Sequence, residues 1–299
     1  MSTPLNYFTQ AAGAASKPVL MLDWVFTGIC IAVCVIITAL IAAALLRRRD
    51  IDVRPESALR WVYIGTGVST AALFGMTVYM LVVFHQILDM PQTPALQVTV
   101  TGYEWWWQAD YDGFTTANEI HIPTGVPVLL NLKSADVIHN FWVPQLAGKT
   151  QMIPGINNQQ WLEADKPGIY RGQCTQFCGA QHAHMAFEVV AQSPDDFAIW
   201  QEHQKTAAVA GGAGEKVFMN KCGGCHAARG TAATGGYGPD LTHLQSRRQI
   251  AAGLMDNTPE NLGNWISHAQ ELKPGVRMPD IPLSPQEQKQ LLAYLEGLK

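Results

Sequence analysis

Charge is scarce in this 299-residue sequence. Asp, Glu, Lys and Arg together make up 15% of it. Two stretches, Trp24 to Leu46 and Trp61 to Phe84, carry none at all. Each exceeds the roughly 20 apolar residues that cross a bilayer, and two such runs near one end argue against buried core helices. The net charge of −4 gives no case for nucleic-acid binding. No basic segment followed by a short apolar core stands before residue 20, so there is no cleavable signal pattern. There is also no internal repeat. The length suggests about two domains. Where charge returns, it is informative. Arg47, Arg48, Arg49, Arg54 and Arg60 crowd the loop between the runs, whereas only Lys17 is basic before Trp24. The positive-inside rule places that loop in the cytoplasm and both chain ends outside.

Cysteine is limited to six residues. Cys30 and Cys34 lie four apart in the first apolar run, on one helix face, and read as packing or lipid-facing side chains. The other four fall in two motifs. Cys174-Thr-Gln-Phe-Cys178-Gly-Ala-Gln-His182-Ala-His-Met185 gathers two thiols, an imidazole and a thioether within 12 residues. Cys222-Gly-Gly-Cys225-His226 is a C-x-x-C-H haem attachment sequence. In an oxidising compartment free thiol pairs tend to become disulfides, but metal binding and thioether bonds would use all four. Soft thiolate and thioether ligands with imidazole select copper over hard cations. A disulfide or a zinc site is the alternative, although zinc seldom uses Met. A second imidazole must come from elsewhere, and His139, in the expected strand Val137–Val143, is the candidate. His184, two residues after His182, would point to the other side of an extended segment. In the second motif Cys222 and Cys225 would bond the haem covalently and His226 would be one axial ligand. Met278, in the loop Gly275-Val276-Arg277-Met278-Pro279, is the candidate for the other, with His243 and Met255 as rivals. Both sites are one-electron devices, so the chain reads as an electron conduit.

The organisation follows from composition. Residues 1–23 form an extracytoplasmic lead, and membrane helices at 24–46 and 61–85 flank a cytoplasmic loop at 47–60. Composition changes at Met90-Pro91-Gln92-Thr93-Pro94. Within 91–206, short β runs with turn residues between them are expected at Leu96–Thr101, Glu119–Pro123, Val126–Leu132, Val137–Val143, Gln159–Ala164, Gly168–Cys174 and Ala186–Ala191. They suggest an antiparallel sandwich or barrel, and Ser193-Pro194-Asp195-Asp196 opens a short helix after it. Residues 207–214, AAVAGGAG, are a flexible linker by composition. Residues 215–299 turn to helical periodicity, with start signals at Thr258-Pro259-Glu260 and a capping box at Ser284-Pro285-Gln286-Glu287.

Residues 20 to 200 resemble subunit II of a haem–copper cytochrome c oxidase. That family's pattern, a His and then Cys-x-x-x-Cys-x-x-x-His-x-x-Met, falls on His139, Cys174, Cys178, His182 and Met185. The resemblance implies a two-helix membrane hairpin, an all-β cupredoxin sandwich and a binuclear copper centre, CuA. It implies that Gln176 ligates through its backbone carbonyl. The family usually has Glu there, which helps hold magnesium at the subunit I boundary; Gln176 offers an amide oxygen and no charge. Gly102-Tyr103-Glu104-Trp105-Trp106-Trp107 is similar to the family's aromatic stretch, in which one Trp, matched by Trp105, lies at the surface where an external cytochrome delivers its electron. Asp136 matches an acidic position of that docking face. The C-terminal region resembles small bacterial cytochrome c domains, including their Gly-Pro-x-Leu segment at Gly238-Pro239-Asp240-Leu241, whose backbone supports the proximal His. Together these imply an oxidase subunit with its electron donor fused as a small all-α domain. Electrons would pass from an external donor, a cytochrome c or other protein, through covalent haem c and CuA to subunit I. Oxygen reduction and proton pumping belong to subunit I, so this chain has no catalytic residue of its own. The implied partners are subunit I, other oxidase subunits and the membrane. The implied location is the bacterial inner membrane, crossed twice, with both folded domains on the periplasmic side. A nitric oxide reductase subunit and a stand-alone membrane-anchored electron carrier are the alternatives.

Overall fold

The computed structural model describes residues 9–46, 55–89, 94–208 and 211–299. Arg47, Arg48, Arg49 and Arg54, the boundary at 90–93 and part of the linker (209–210) lie outside the described residues. The chain divides into two units, residues 15–89 and the remainder.

In the first unit, α1 (Lys17–Leu46) and α2 (Pro55–Leu88) extend beyond the charge-free runs. At about 1.5 Å per residue, both exceed the thickness of a bilayer core. α1 buries no side chain. A helix that is apolar all round, yet has no protein core around it, is suited to lipid rather than to water. The two helices touch each other. Thr77, one of the polar residues of α2, turns its hydroxyl onto the Leu73 carbonyl of its own helix at 2.9 Å.

The second unit begins with a two-layer sandwich. Its strands are β1 (Leu96–Tyr103), β2 (Trp106–Tyr111), β3 (Phe114–Ala117), β4 (Glu119–Pro123), β5 (Val128–Ser134), β6 (His139–Trp142), β7 (Lys149–Met152), β8 (Asn158–Leu162), β9 (Gly168–Cys174) and β10 (Ala186–Gln192). One sheet has the order β3-β2-β1-β5-β8 and the other β4-β10-β9-β6-β7. The sandwich is mixed rather than antiparallel, because β1–β5 and β4–β10 pair in parallel. Such pairs need crossover connections, which short β runs in sequence do not reveal. Residues alternate between core and outside along β1 and β5, so Val98, Val100, Val128, Leu130 and Leu132 are fully buried. Between the sheets, Trp107, Phe141 and Phe187 form one aromatic cluster, with ring centroids 4.6 to 6.0 Å apart. After the sandwich comes α3 (Pro194–Lys205), capped by Ser193, whose Oγ accepts the Asp196 N–H. Its Trp200 stacks on His121 of β4 at 4.0 Å.

The C-terminal domain contains α4 (Ala213–Lys221), a two-stranded ladder of β11 (Gln249–Ile250) and β12 (Met255–Asp256), α5 (Pro259–Ser267), α6 (Ala269–Leu272) and α7 (Pro285–Leu295). The helix starts match their sequence signals. Thr258 caps α5, and Ser284 and Glu287 complete a capping box on α7. α4 crosses α7 at Gly214, where a Cβ would sit 2.1 Å from the Gln290 carbonyl oxygen; only glycine permits that approach. Phe218, Leu291, Leu295 and Leu298 form the centre of this domain's core.

Candidate metal and haem sites

The first site lies where β6, β9 and the loop before β10 converge. Cys174 ends β9 and Cys178 follows on the loop. Their sulfurs are 3.8 Å apart and both residues are buried. His139 begins β6 with 0% exposure, its Nδ1 3.9 Å from the Cys174 sulfur. His182 Nδ1 is 3.5 Å, and the Met185 sulfur 3.7 Å, from the Cys178 sulfur. The Gln176 carbonyl oxygen lies 3.2 Å from the Cys174 sulfur. The structure therefore brings together all six positions singled out in the sequence. His139, Cys174 and Cys178 have ligand atoms within 4.8 Å of one another. His184 stands apart: it is exposed and its Nδ1 meets Gln181 Oε1 at 2.7 Å. The segment is a short 3-10 turn, His182–His184, rather than extended.

Backbone and core residues fix this arrangement. The Met185 carbonyl accepts N–H groups from Cys174 and from the Trp107 indole. Gly102 of β1 passes so close to His139 that a Cβ there would sit 2.9 Å from the imidazole Cδ2. Asp136, expected on a docking face, is mostly buried and bonds His139 Nε2 at 2.8 Å. It also accepts the backbone N–H groups of Glu104 and Val137. Its role here is to fix the ring and leave Nδ1 facing the sulfurs, as carboxylates do for metal-binding histidines.

The electrostatics follow the same geometry. The hydrogen bond from Cys178, helped by His139 and backbone groups, outweighs burial and pushes the Cys174 thiol well below the usual thiol range. Cys178, facing that thiolate, is pushed up. Burial disfavours a charge on His139, but Asp136 and Cys174 outweigh it and raise the ring to about 9. The thiolate is the metal-binding form of cysteine. Thiolate, thioether, imidazole and carbonyl oxygen together fit copper better than a hard cation. No other group of three or more clustered His, Cys, Asp or Glu ligands forms among the described residues, and magnesium has no support.

The second site is a cavity in the C-terminal domain. Cys222, Cys225, His226 and Met278 all line it, with Leu244, Leu262, Trp265, Ile266 and Ile281 among its apolar walls. His226 Nδ1 faces the Pro239 carbonyl at 2.7 Å, leaving Nε2 free. Burial lowers the pKa of His226 despite that bond, favouring the neutral ring that can bind a metal. Gly238 makes room for it, since a Cβ there would lie 2.6 Å from the imidazole. Arg247 also lines the cavity, buried at 8% exposure, and its Nε has no hydrogen-bond partner among the described residues. A large apolar group bearing anionic carboxylates, as haem does, would satisfy both the walls and this arginine. His243 is not a lining residue. Its ring nitrogens face the Lys299 and Thr206 carbonyls at 2.5 and 3.2 Å. Met255 lies in β12, against the domain core and outside the cavity.

Trp105 differs from expectation. It is 8% exposed rather than at the surface. Its indole N–H donates to the Cys178 carbonyl at 2.8 Å, while the residue also lines the cavity of the second site beside Glu104, Trp106 and Asn118. Trp106 stacks on Tyr103, and Trp107 belongs to the core. The sequence reading missed Arg247, Lys273 and the bond from Asp136 to His139. An acid three residues before a ligand histidine is a usable signal for Asp136; the two buried cations leave none.

Residues 108–193 match the family of the cytochrome c oxidase subunit II periplasmic domain, and residues 212–299 match the cytochrome c family. The chain is 42% identical over 212 residues to cytochrome c oxidase subunit 2 of Alkalihalophilus pseudofirmus, covering 68% of this chain and 61% of that one. It is 31% identical over 224 residues to the Bacillus subtilis protein of the same description, covering 69% and 63%. The matches thus span less than two thirds of these relatives' length. The crystal structure of the periplasmic domain of cytochrome oxidase subunit II from Bradyrhizobium japonicum is similar over 39% of this chain and 97% of that one. The identity is 30% and the TM-score 0.38.

Proposed function

We propose that this chain, in which a match to the cytochrome c oxidase subunit II periplasmic domain is followed by a match to cytochrome c, is the subunit through which electrons enter a terminal cytochrome c oxidase. It would carry them from an external donor through covalent haem c and binuclear CuA to subunit I, where oxygen is reduced and protons are pumped. The observation that carries this reading is the presence, in one folded unit, of a buried soft-ligand cluster and a C-x-x-C-H cavity sharing the Trp105 ring.

Under this reading His139, Cys174, Cys178, His182, Met185 and the Gln176 carbonyl hold the copper pair. Cys222 and Cys225 would attach the haem, and His226 and Met278 would hold its iron. When bound, the two groups supply reversible one-electron uptake. The chain's own residues keep the cost of that uptake low. Asp136 and the Pro239 carbonyl fix the two imidazoles, and burial of Cys174, Cys178 and Met185 excludes water, so little rearranges when charge changes. α1 and α2 anchor the chain by crossing the inner membrane twice, with both domains on the periplasmic side and subunit I alongside.

The test is purification from native membranes in mild detergent with any bound partner, followed by oxygen uptake and metal and haem analysis. Cyanide-sensitive uptake with a haem–copper partner, copper and covalent haem is the expected result. Nitric oxide turnover without oxygen uptake would move the chain to a reductase. Neither partner nor turnover would leave a membrane-anchored carrier.

A further inference from the structure

We propose that Lys273 is a positioning residue that clamps the C-terminal domain onto the Trp105 face of the sandwich, making this face a fixed contact within the chain rather than a landing site for a separate electron carrier. Lys273 follows α6 and is 1% exposed, although nothing in its sequence surroundings demands a buried cation. Its Nζ donates to the Trp105 carbonyl at 2.9 Å and to the Ala251 carbonyl at 2.8 Å. The first acceptor belongs to the sandwich and the second to the C-terminal domain. No carboxylate pairs with it among the described residues. A buried amine is costly unless it is hydrogen-bonded, and here both acceptors are in place only while the two domains touch. Even an uncharged amine has two N–H groups to give, and both find carbonyls.

Contacts around the clamp tie the same two surfaces together. Gln181 donates to the Pro274 carbonyl at 2.8 Å. The Ala186 N–H donates to the Ala252 carbonyl at 3.0 Å, and the Arg248 N–H to Glu119. Ala251, Ala252 and Gly253 all have φ between 55° and 77°, a region that alanine rarely adopts. A Cβ on Gly253 would sit 2.9 Å from the Cβ of Ala186. This loop is therefore shaped to press against β10. Arg277 adds an ion pair to Asp136 at 3.4 Å, but it is exposed and contributes little.

The experiment is hydrogen exchange on the full chain in detergent, loaded with copper and haem, comparing the parent with Lys273→Met. Methionine keeps an unbranched apolar stem but leaves the Trp105 and Ala251 carbonyls without their donor. The expected result is a tenfold or greater loss of protection on both sides of the contact, in segments 181–188 and 246–253. Protection in the cores of β1 and α7 and both optical spectra should not change. Unchanged protection, or loss only in 246–253, would overturn the clamp. If the variant fails to take up haem, the parent alone decides: Ala186 and Arg248 amides that exchange like exposed ones would overturn docking itself. A second arm rests on the electron-relay reading. After flash reduction of the haem, electrons should reach copper at least tenfold more slowly in the variant. Lost protection with an unchanged transfer rate would support the clamp and reject Trp105 as the route. Slower transfer with unchanged protection would reject the clamp.

Discussion

Met278 and His243 are two of the three residues weighed as the haem's second ligand, and their surroundings separate them. Met278 lines the cavity, whereas both ring nitrogens of His243 are committed to backbone carbonyls. Met278→Ala should leave the haem covalently attached but abolish its low-spin optical spectrum, and an unaltered spectrum would exclude Met278. Cys178→Ser should remove the mixed-valence copper signal in electron paramagnetic resonance while the haem spectrum stays intact; persistence of that signal would reject Cys178 as a bridging ligand. At this scale the sequence was most legible where chemistry fixes the spacing, as in Cys174 to Met185 and Cys222 to His226. It was least legible where a side chain acts through the fold. Asp136 looks like any surface acid until its bond to His139 is seen, and Arg247 looks solvated until it is found walled into the cavity.

Secondary-structure elements were legible to the extent that their signals are local. The caps at Ser193, Thr258 and Ser284 each mark a helix start. Ser284→Ala should destabilise the C-terminal domain by about 1 kcal/mol, measured by denaturant unfolding followed at the haem absorption. No measurable change would mean that α7 is held by its apolar stripe alone. Three strands of the sandwich went unread, as did the short β11–β12 ladder of the C-terminal domain. β2 and β3 form a hairpin around Asp112-Gly113, with Gly113 at φ 88°, a turn signal that follows the aromatic run taken for a motif and was passed over with it. β7, Lys-Thr-Gln-Met, is short and polar and offers no alternation. The parallel pairs could not be inferred from strand-length runs, because pairing partners are set by crossovers and not by composition.

The contact between the two domains was the least legible feature at the scale of the whole molecule. Lys273 and Trp105 are 168 residues apart, and no local pattern announces their meeting. Burial depresses the Lys273 amine to about 7, opposed only by the field of Cys178. Arg247 and Arg277 share its cavity, as does Glu104, and Asp136 lies beyond Arg277. The docked state therefore binds fewer protons than a separated one, whose lysine has its ordinary value. The sign follows: docking is weakest below about pH 7 and strengthens as pH rises from there towards the usual lysine range. Exchange in segment 246–253 should accordingly be faster at pH 6 than at pH 8.5, after correction for intrinsic rates. Equal protection would show that the amine does not feel its burial. The composition of the cavity has a further consequence. Part of its wall, Glu104, Trp105, Trp106 and Asn118, comes from the sandwich, so the cavity is finished only by a neighbour. The expected order of assembly is therefore prosthetic-group insertion while the lobes are apart and closure afterwards, which limited proteolysis of newly made chains would check. Nascent chains deprived of haem should accumulate in an open, protease-sensitive form.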